Sequence, residues 1–177
     1  LGREYALNNR EKMLKMYDFI EFAFFNIVAF IYSVTMIMIV PFVSVYTRNA
    51  DINYIYPIFA VIFVYTSAFY ILKIPSNALI NISGHFKETR WRAILEAALT
   101  LGLSIILTKL LGINGVVLGT GIALAWRCLD TIVYSNKNIL LCKNKKSLLR
   151  LIRVLVILSI TAFFSLKMPI NITNFFA

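Results

Sequence analysis

The sequence predicts an all-α, polytopic membrane protein built as a bundle of five transmembrane helices. Hydrophobic residues make up 60% of the 177 residues and charged residues only 15%, whereas soluble domains contain about 45–50% apolar residues. The mean hydropathy of +0.79 points the same way. The apolar residues also lie in runs of about 20 or more, which is the length that a helix needs to cross a bilayer.

Five such runs divide the chain. We predict a single helical transmembrane unit over residues 1–177, with spans at about 19–46, 54–83, 93–111, 113–134 and 148–166. The runs are too long for the strands of a membrane barrel, which alternate over about 10 residues. The chain begins Leu1-Gly2-Arg3 and ends in a half-polar tail, so we expect it to be a piece of a longer protein.

The basic residues predict the orientation of the bundle. The segments 1–18, 84–92 and 135–153 hold 13 of the 18 Lys and Arg residues, and the alternate connections hold only one each. Cytoplasmic loops of membrane proteins are enriched in Lys and Arg, so the residue 1 side is predicted to be cytoplasmic and the residue 177 side external. The net charge of +10 does not indicate nucleic acid as a partner, because the basic residues form no stripe interleaved with aromatic residues.

The third and fourth spans are joined by a turn so short that it predicts an antiparallel helical hairpin. The fourth span opens with Gly115 and Gly119, a small-xxx-small pattern that allows two helix backbones to approach closely.

Lys73 lies near the middle of the second span, where an ionisable side chain is costly and therefore indicates a function. It belongs to a polar stripe at helical spacing on one face of the helix, formed by Thr66, Tyr70, Lys73, Asn77 and Asn81. Pro75 within the stripe is expected to kink the helix. Two interpretations remain open: the cation binds an anionic ligand, or it pairs with a carboxylate of a neighbouring helix and has no other role.

Three further ionisable residues lie inside the predicted hairpin. Glu96 stands near the start of the third span, and Arg127 and Asp130 stand near the end of the fourth. They are candidates for an ion pair or triad that holds the hairpin together, and alternatively for proton or ion coupling. Glu21, at the start of the first span, is interpreted as an interfacial residue.

Chemistry on bound substrates is not predicted. His85 is the only histidine, and it has no Cys or carboxylate at ligand spacing, so no metal site is expected. Cys128 and Cys142 match no redox or metal spacing. No catalytic constellation or phosphate-binding glycine loop occurs, so we expect neither an enzyme nor a cofactor.

Several segments resemble the polysaccharide-biosynthesis proteins, which flip lipid-linked oligosaccharides and belong to the multidrug/oligosaccharidyl-lipid/polysaccharide exporter superfamily. The resemblance covers about residues 10–140, and one departure from it is Thr100, where an Asn is expected. The similar segments are Phe42–Thr47, Asp51–Tyr54, Ile74–Thr89, Glu96–Leu107 and Gly112–Thr120.

The resemblance implies a protein of 12 to 14 spans in two lobes with a central cavity, of which this chain looks like the second lobe plus one extra helix. Since the lobes are internal repeats, the first lobe remains the alternative. It implies a location in the bacterial inner membrane and a role in surface polysaccharide assembly, including lipopolysaccharide. The substrate would be a polyprenyl-pyrophosphate-linked oligosaccharide moved by alternating access. Lys73 would bind the pyrophosphate, and Tyr70, Asn77 and Asn81 would donate hydrogen bonds. Its partners would be membrane lipids, the substrate and the missing lobe of the same polypeptide.

Two other functions remain open at this point. A cation-coupled multidrug antiporter of the same superfamily would need a free carboxylate facing the cavity, which a Lys near the midplane disfavours. A non-transporting membrane scaffold is favoured if the polar stripes are buried against other helices and leave no cavity.

The orientation predicts a labelling pattern. In a background without Cys128 and Cys142, single cysteines at Asn49 and Asn114 should react with a membrane-impermeant thiol reagent added outside. Cysteines at Lys87 and Lys145 should react only after the membrane is permeabilised. The opposite pattern would reverse the orientation.

Overall fold

A computed structural model describes residues 1–7, 9–47 and 56–167. It confirms the predicted all-α fold class, and five of its helices are long and apolar enough to cross a membrane. We therefore describe the chain as a multi-pass membrane protein. Asn49, one of the proposed labelling positions, lies outside the described residues.

Seven α-helices and one π-helical turn follow one another along the described chain. Their bounds are α1 Gly2–Ala6, α2 Arg10–Tyr46, α3 Pro57–Leu72, α4 Ile74–Ile82, α5 Phe86–Leu111, α6 Ile113–Tyr134, the π-helical turn Ser135–Leu140, and α7 Lys145–Lys167. The first, third, fourth and fifth predicted spans fall within these helices, and α3 and α4 together form the second span over Pro57–Ile82, shorter than the predicted 54–83. On the side of the basic segments, α2, α5 and α7 begin before the predicted spans. A helix can continue through polar residues once it has left the apolar part of the membrane.

The helices are arranged so that α5 packs on α6, α6 on α3, α3 on α2, and α2 on α7. The central core joins α2, α3, α6 and α7 through Phe25, Leu72, Ile132 and Leu158. In α5, by contrast, only Thr89 is buried. The outer face of α5 is therefore apolar surface of the kind that lipid or another helix covers in a membrane.

The second span is interrupted at Lys73, where α3 ends and α4 begins. Pro75 explains the break, because it lacks the N–H that would hydrogen-bond to the carbonyl of Ile71. The chain resumes helical pairing when the Asn77 N–H donates to the Lys73 carbonyl at 3.0 Å. The break thus coincides with the one Lys inside the span.

The glycines of α6 allow two close helix contacts. A methyl group added at Gly115 would collide with the backbone of Leu107, and one added at Gly119 would lie 2.5 Å from the backbone nitrogen of Ser104. Gly121 faces the other way, toward the Thr66 hydroxyl on α3. The predicted small-residue face is therefore real, and it brings α6 into contact with both α5 and α3.

The three basic segments meet at one end of the bundle, which we call the basic end. Arg10 donates two 3.0 Å hydrogen bonds to the carbonyls of Leu140 and Leu141. His85 Nδ1 lies 3.0 Å from the Tyr134 hydroxyl. Because successive spans run in opposite directions, the three basic segments lie on the same side of the bundle. The positive-inside rule predicts that this side is cytoplasmic.

The close contact of α5 and α6 predicts the effect of enlarging Gly119. Gly119→Leu should lower the thermal unfolding temperature in detergent and reduce the amount of folded protein, because the side chain must push the α5 backbone away. Gly102→Leu is the matched control on α5, since a methyl group there meets nothing within 4 Å. Equal behaviour of the two variants would contradict the packing described here.

Candidate functional site

Five charged side chains form a continuous network where the second span, α5 and α6 meet. Their order is Lys73, Glu96, Arg127, Asp130 and Arg92, so that cations and carboxylates alternate. Glu96 lies ten residues after the start of α5 at Phe86, which is about 15 Å along the helix. The network therefore extends from the basic end into the interior of the predicted membrane region.

Lys73 occupies the deep end of the network. Its Nζ lies 2.5 Å from Glu96 Oε1, and the residue is only 8% exposed. The ammonium group also lies 5.0 Å from the centre of the Tyr70 ring, a distance that gives a favourable cation–π contact. Lys73 lies at the break between α3 and α4, and from there its side chain extends to Glu96 on α5.

Arg127 is the centre of the network and is 6% exposed. Its Nη1 donates to Asp130 Oδ2 at 3.0 Å, one turn further along α6. Its Nε lies 3.2 Å from Glu96 Oε2, but within the described residues the Nε–H makes no hydrogen bond. The Arg127–Glu96 contact is thus an attraction between charges at short range without a well-directed hydrogen bond.

Arg92 closes the network at the basic end. It pairs with Asp130 Oδ1, and its guanidinium carbon lies 4.8 Å from the centre of the Tyr134 ring. The Arg92 side chain is 37% exposed, whereas that of Asp130 is 16% exposed. Arg92 is therefore the most exposed side chain of the network, and Arg127 and Lys73 are the most buried.

The structure brings some of the predicted site residues together and leaves others at the surface. Glu96 and Asp130, predicted to form an ion pair or triad with Arg127, both contact that Arg, and Lys73 joins them through Glu96. Of the other predicted ligand-binding residues, Tyr70 is exposed and contacts the Lys73 ammonium through its ring, Asn77 is half-buried and Asn81 is exposed. Sequence reasoning placed Arg92 among the orienting residues of a loop and missed its place in the network.

A second buried cluster, around Glu21, was also missed. This carboxylate is 1% exposed, so it is buried within the protein. It accepts hydrogen bonds from Arg150 Nη1 at 2.7 Å and from Ser147 Oγ at 2.9 Å. Arg150 also pairs with Asp18 at 2.7 Å. The cluster therefore links α2 to α7, and the only signal for it in the sequence is the presence of an acid and an Arg at the same predicted membrane depth.

No group of three His, Cys, Asp or Glu side chains that could hold a metal ion occurs within residues 1–7, 9–47 and 56–167. Both carboxylates of the network are paired with cations. What the network can do is hold charge inside the bundle and exchange partners among five side chains.

The charge count of the network predicts unequal effects of neutralising its members. Glu96→Gln would leave three cations with one carboxylate, and breaking a buried pair destabilises a protein by about 3–5 kcal/mol. Since the Glu96 side chain is 20% exposed, we expect a loss near the lower end, about 3 kcal/mol. Lys73→Gln would leave two cations with two carboxylates, so its effect on thermal unfolding in detergent should be less than half as large.

Glu88→Gln is the control for this comparison, because Glu88 lies on the same helix and is exposed. It should change stability by no more than about 0.5 kcal/mol. If Lys73→Gln destabilised the protein as strongly as Glu96→Gln, Arg127 would not be compensating Glu96 as the geometry indicates.

No family model, curated protein or solved structure matches this chain. The resemblance to polysaccharide-biosynthesis proteins therefore stays a prediction from the segments quoted above. The observations that bear on function are the positions and charges of the network side chains.

Proposed function

We propose that this chain is part of a membrane transporter that moves an anionic lipid-linked substrate, a polyprenyl-pyrophosphate-linked oligosaccharide, across the bacterial inner membrane by alternating access. Lys73 contacts the pyrophosphate, and Tyr70, Asn77 and Asn81 contact phosphate or sugar hydroxyls. The rest of the transport cavity would come from the other lobe of the same polypeptide.

The observation that carries this proposal is the charge imbalance of the network. Three cations share two carboxylates, so the network holds one positive charge in excess. An uncompensated charge inside a membrane is costly. Binding of an anion would remove that cost, whereas binding of a cation would increase it.

The partners of the two carboxylates also favour an anionic substrate. Glu96 contacts both Lys73 and Arg127, and Asp130 contacts both Arg92 and Arg127. A cation-coupled drug antiporter needs a carboxylate that is free to bind a proton or a cation. Neither network carboxylate is free in this state, so the antiporter is the weaker alternative.

The position of Lys73 suits a side chain that exchanges partners. When Lys73 turns toward a pyrophosphate, Arg127 remains beside Glu96, so no carboxylate is left unpaired. Tyr70 is 54% exposed, and Asn77 and Asn81 are not fully buried, so the stripe offers polar groups to a ligand beside the network. The break at Lys73 gives this part of the second span freedom that a continuous helix lacks.

A non-transporting scaffold is the second candidate, and a specific observation favours it. The network joins three spans, and such an arrangement holds helices together whether or not anything is transported. The two candidates differ in what Lys73 is for: a ligand contact in the transporter, and a fastening between helices in the scaffold.

The test compares Lys73→Gln and Lys73→Arg in proteoliposomes that contain a fluorescent polyprenyl-pyrophosphate-linked oligosaccharide. Accessibility of the fluorophore to an impermeant quencher reports movement between leaflets. Lys73→Gln should fold and reconstitute normally but lose about 10- to 150-fold in substrate affinity, because a charge-assisted contact is worth about 1.5–3 kcal/mol. Lys73→Arg should retain much of the activity, since a guanidinium also binds phosphate.

Lys109→Gln is the control: it removes the same charge from the end of α5 that lies away from the basic end, and it should leave transport unchanged. Normal transport by a well-folded Lys73→Gln variant would overturn the role of Lys73 in substrate binding. A loss of transport that only follows a loss of folded protein would support the scaffold instead.

A further inference from the structure

A cavity lies at the basic end of the bundle, and none of the five network residues lines it. It is formed by the first part of α2, the π-helical turn after α6, and the segment that leads into α7. Its volume is about 480 Å³, within the range of pockets that hold small ligands. The residues that matter for its chemistry are a set of lysines, Lys15, Lys143, Lys145 and Lys146, and an apolar wall that includes Leu14 and Leu140.

The basic groups at the cavity outnumber the acidic ones. Glu21 and Asp18 both line it, and both are paired with Arg150 at 2.7 Å, so these three side chains carry one net negative charge. Burial and the nearby Glu21 carboxylate raise the pKa of the Cys142 thiol, so this lining residue adds no negative charge at neutral pH. The positive charge of the four lysines therefore exceeds the negative charge of the lining.

Three of the four lysines have no acidic partner among the described residues. Lys15 pairs with Glu11 at 2.7 Å, whereas Lys143, Lys145 and Lys146 make no salt bridge in the part of the chain that the structure describes. These three lysines precede or open α7, the last span among the residues that the structure describes. The cavity thus combines an apolar wall with a concentrated and unpaired positive charge at the membrane surface.

We infer that this cavity binds the headgroup of an anionic phospholipid from the adjoining leaflet. The phosphodiester would lie among Lys143, Lys145 and Lys146, and the upper part of an acyl chain would lie against the apolar wall near Leu14. Basic pockets between helices at the cytoplasmic surface suit such headgroups, because each nearby Lys contributes about 1 kcal/mol of attraction to an anionic surface. The bound lipid would join α2 to α7 at the same place as the Glu21–Arg150 pair.

The site is tested by measuring binding of phosphatidylglycerol to the protein in phosphatidylcholine nanodiscs or mixed micelles. Native mass spectrometry counts retained lipids, and thermal unfolding reports stabilisation. Phosphatidylglycerol should be retained and should stabilise the protein more than phosphatidylcholine. A triple variant, Lys143→Gln with Lys145→Gln and Lys146→Gln, should weaken phosphatidylglycerol binding about 10- to 100-fold.

A second triple variant controls for general attraction between a basic protein and an anionic membrane. Arg3→Gln, Lys12→Gln and Lys87→Gln remove the same charge from exposed positions at the basic end that do not line the cavity. This variant should retain phosphatidylglycerol binding. Equal losses in the two triple variants would overturn the site, because the attraction would then belong to the whole surface.

Two further measurements separate the headgroup of a lipid from free phosphate and a binding defect from misfolding. Leu14→Trp narrows the apolar wall without changing charge, and it should weaken lipid retention while circular dichroism shows the same helix content. Inorganic phosphate in phosphatidylcholine micelles should give no comparable stabilisation. Stabilisation by inorganic phosphate equal to that by phosphatidylglycerol, or unchanged lipid retention in Leu14→Trp, would contradict binding of a lipid.

Discussion

A carboxylate inside a bilayer has no water to solvate it, and the architecture of this chain depends on how its buried carboxylates find cations. Glu96 is held by Lys73 and Arg127, and Glu21 is held by Arg150. Each contact joins two different helices, so satisfying the charges also fixes which helices are neighbours. The first set orders the second span, α5 and α6, and the second set orders α2 and α7.

The glycines of α6 make the first of these arrangements possible. Gly115 and Gly119 bring the backbones of α5 and α6 so close that no larger residue fits between them. Near the other end of the same two helices, Arg92 pairs with Asp130. Two kinds of contact thus hold α5 against α6: small residues allow the backbones to approach closely, and the ion pair fixes which residues of the two helices lie opposite each other.

Features that repeat along one helix could be predicted from the sequence, and features that join two helices mostly could not. The lengths of the apolar runs predicted all five spans, and the spacing of glycines predicted the close face of α6. The contact of Glu21 was missed because its partner Arg150 is 129 residues away, and no local pattern connects them. Arg92 was missed for the same reason, since its role depends on the rotation of α5 against α6.

The distance in sequence between Glu21 and Arg150 has a consequence for biogenesis. At a synthesis rate of about 5–20 residues per second, the ribosome needs roughly 6–26 seconds to pass from the first residue to the second. During that interval α2 can already be in the membrane while its acid has no basic partner. The contact between α2 and α7 therefore cannot form until α7 has been made, and arrival of α7 is the step that completes this pair. A chain interrupted before α7 would expose an unpaired acid at the membrane, a feature by which quality-control proteases could recognise unfinished molecules.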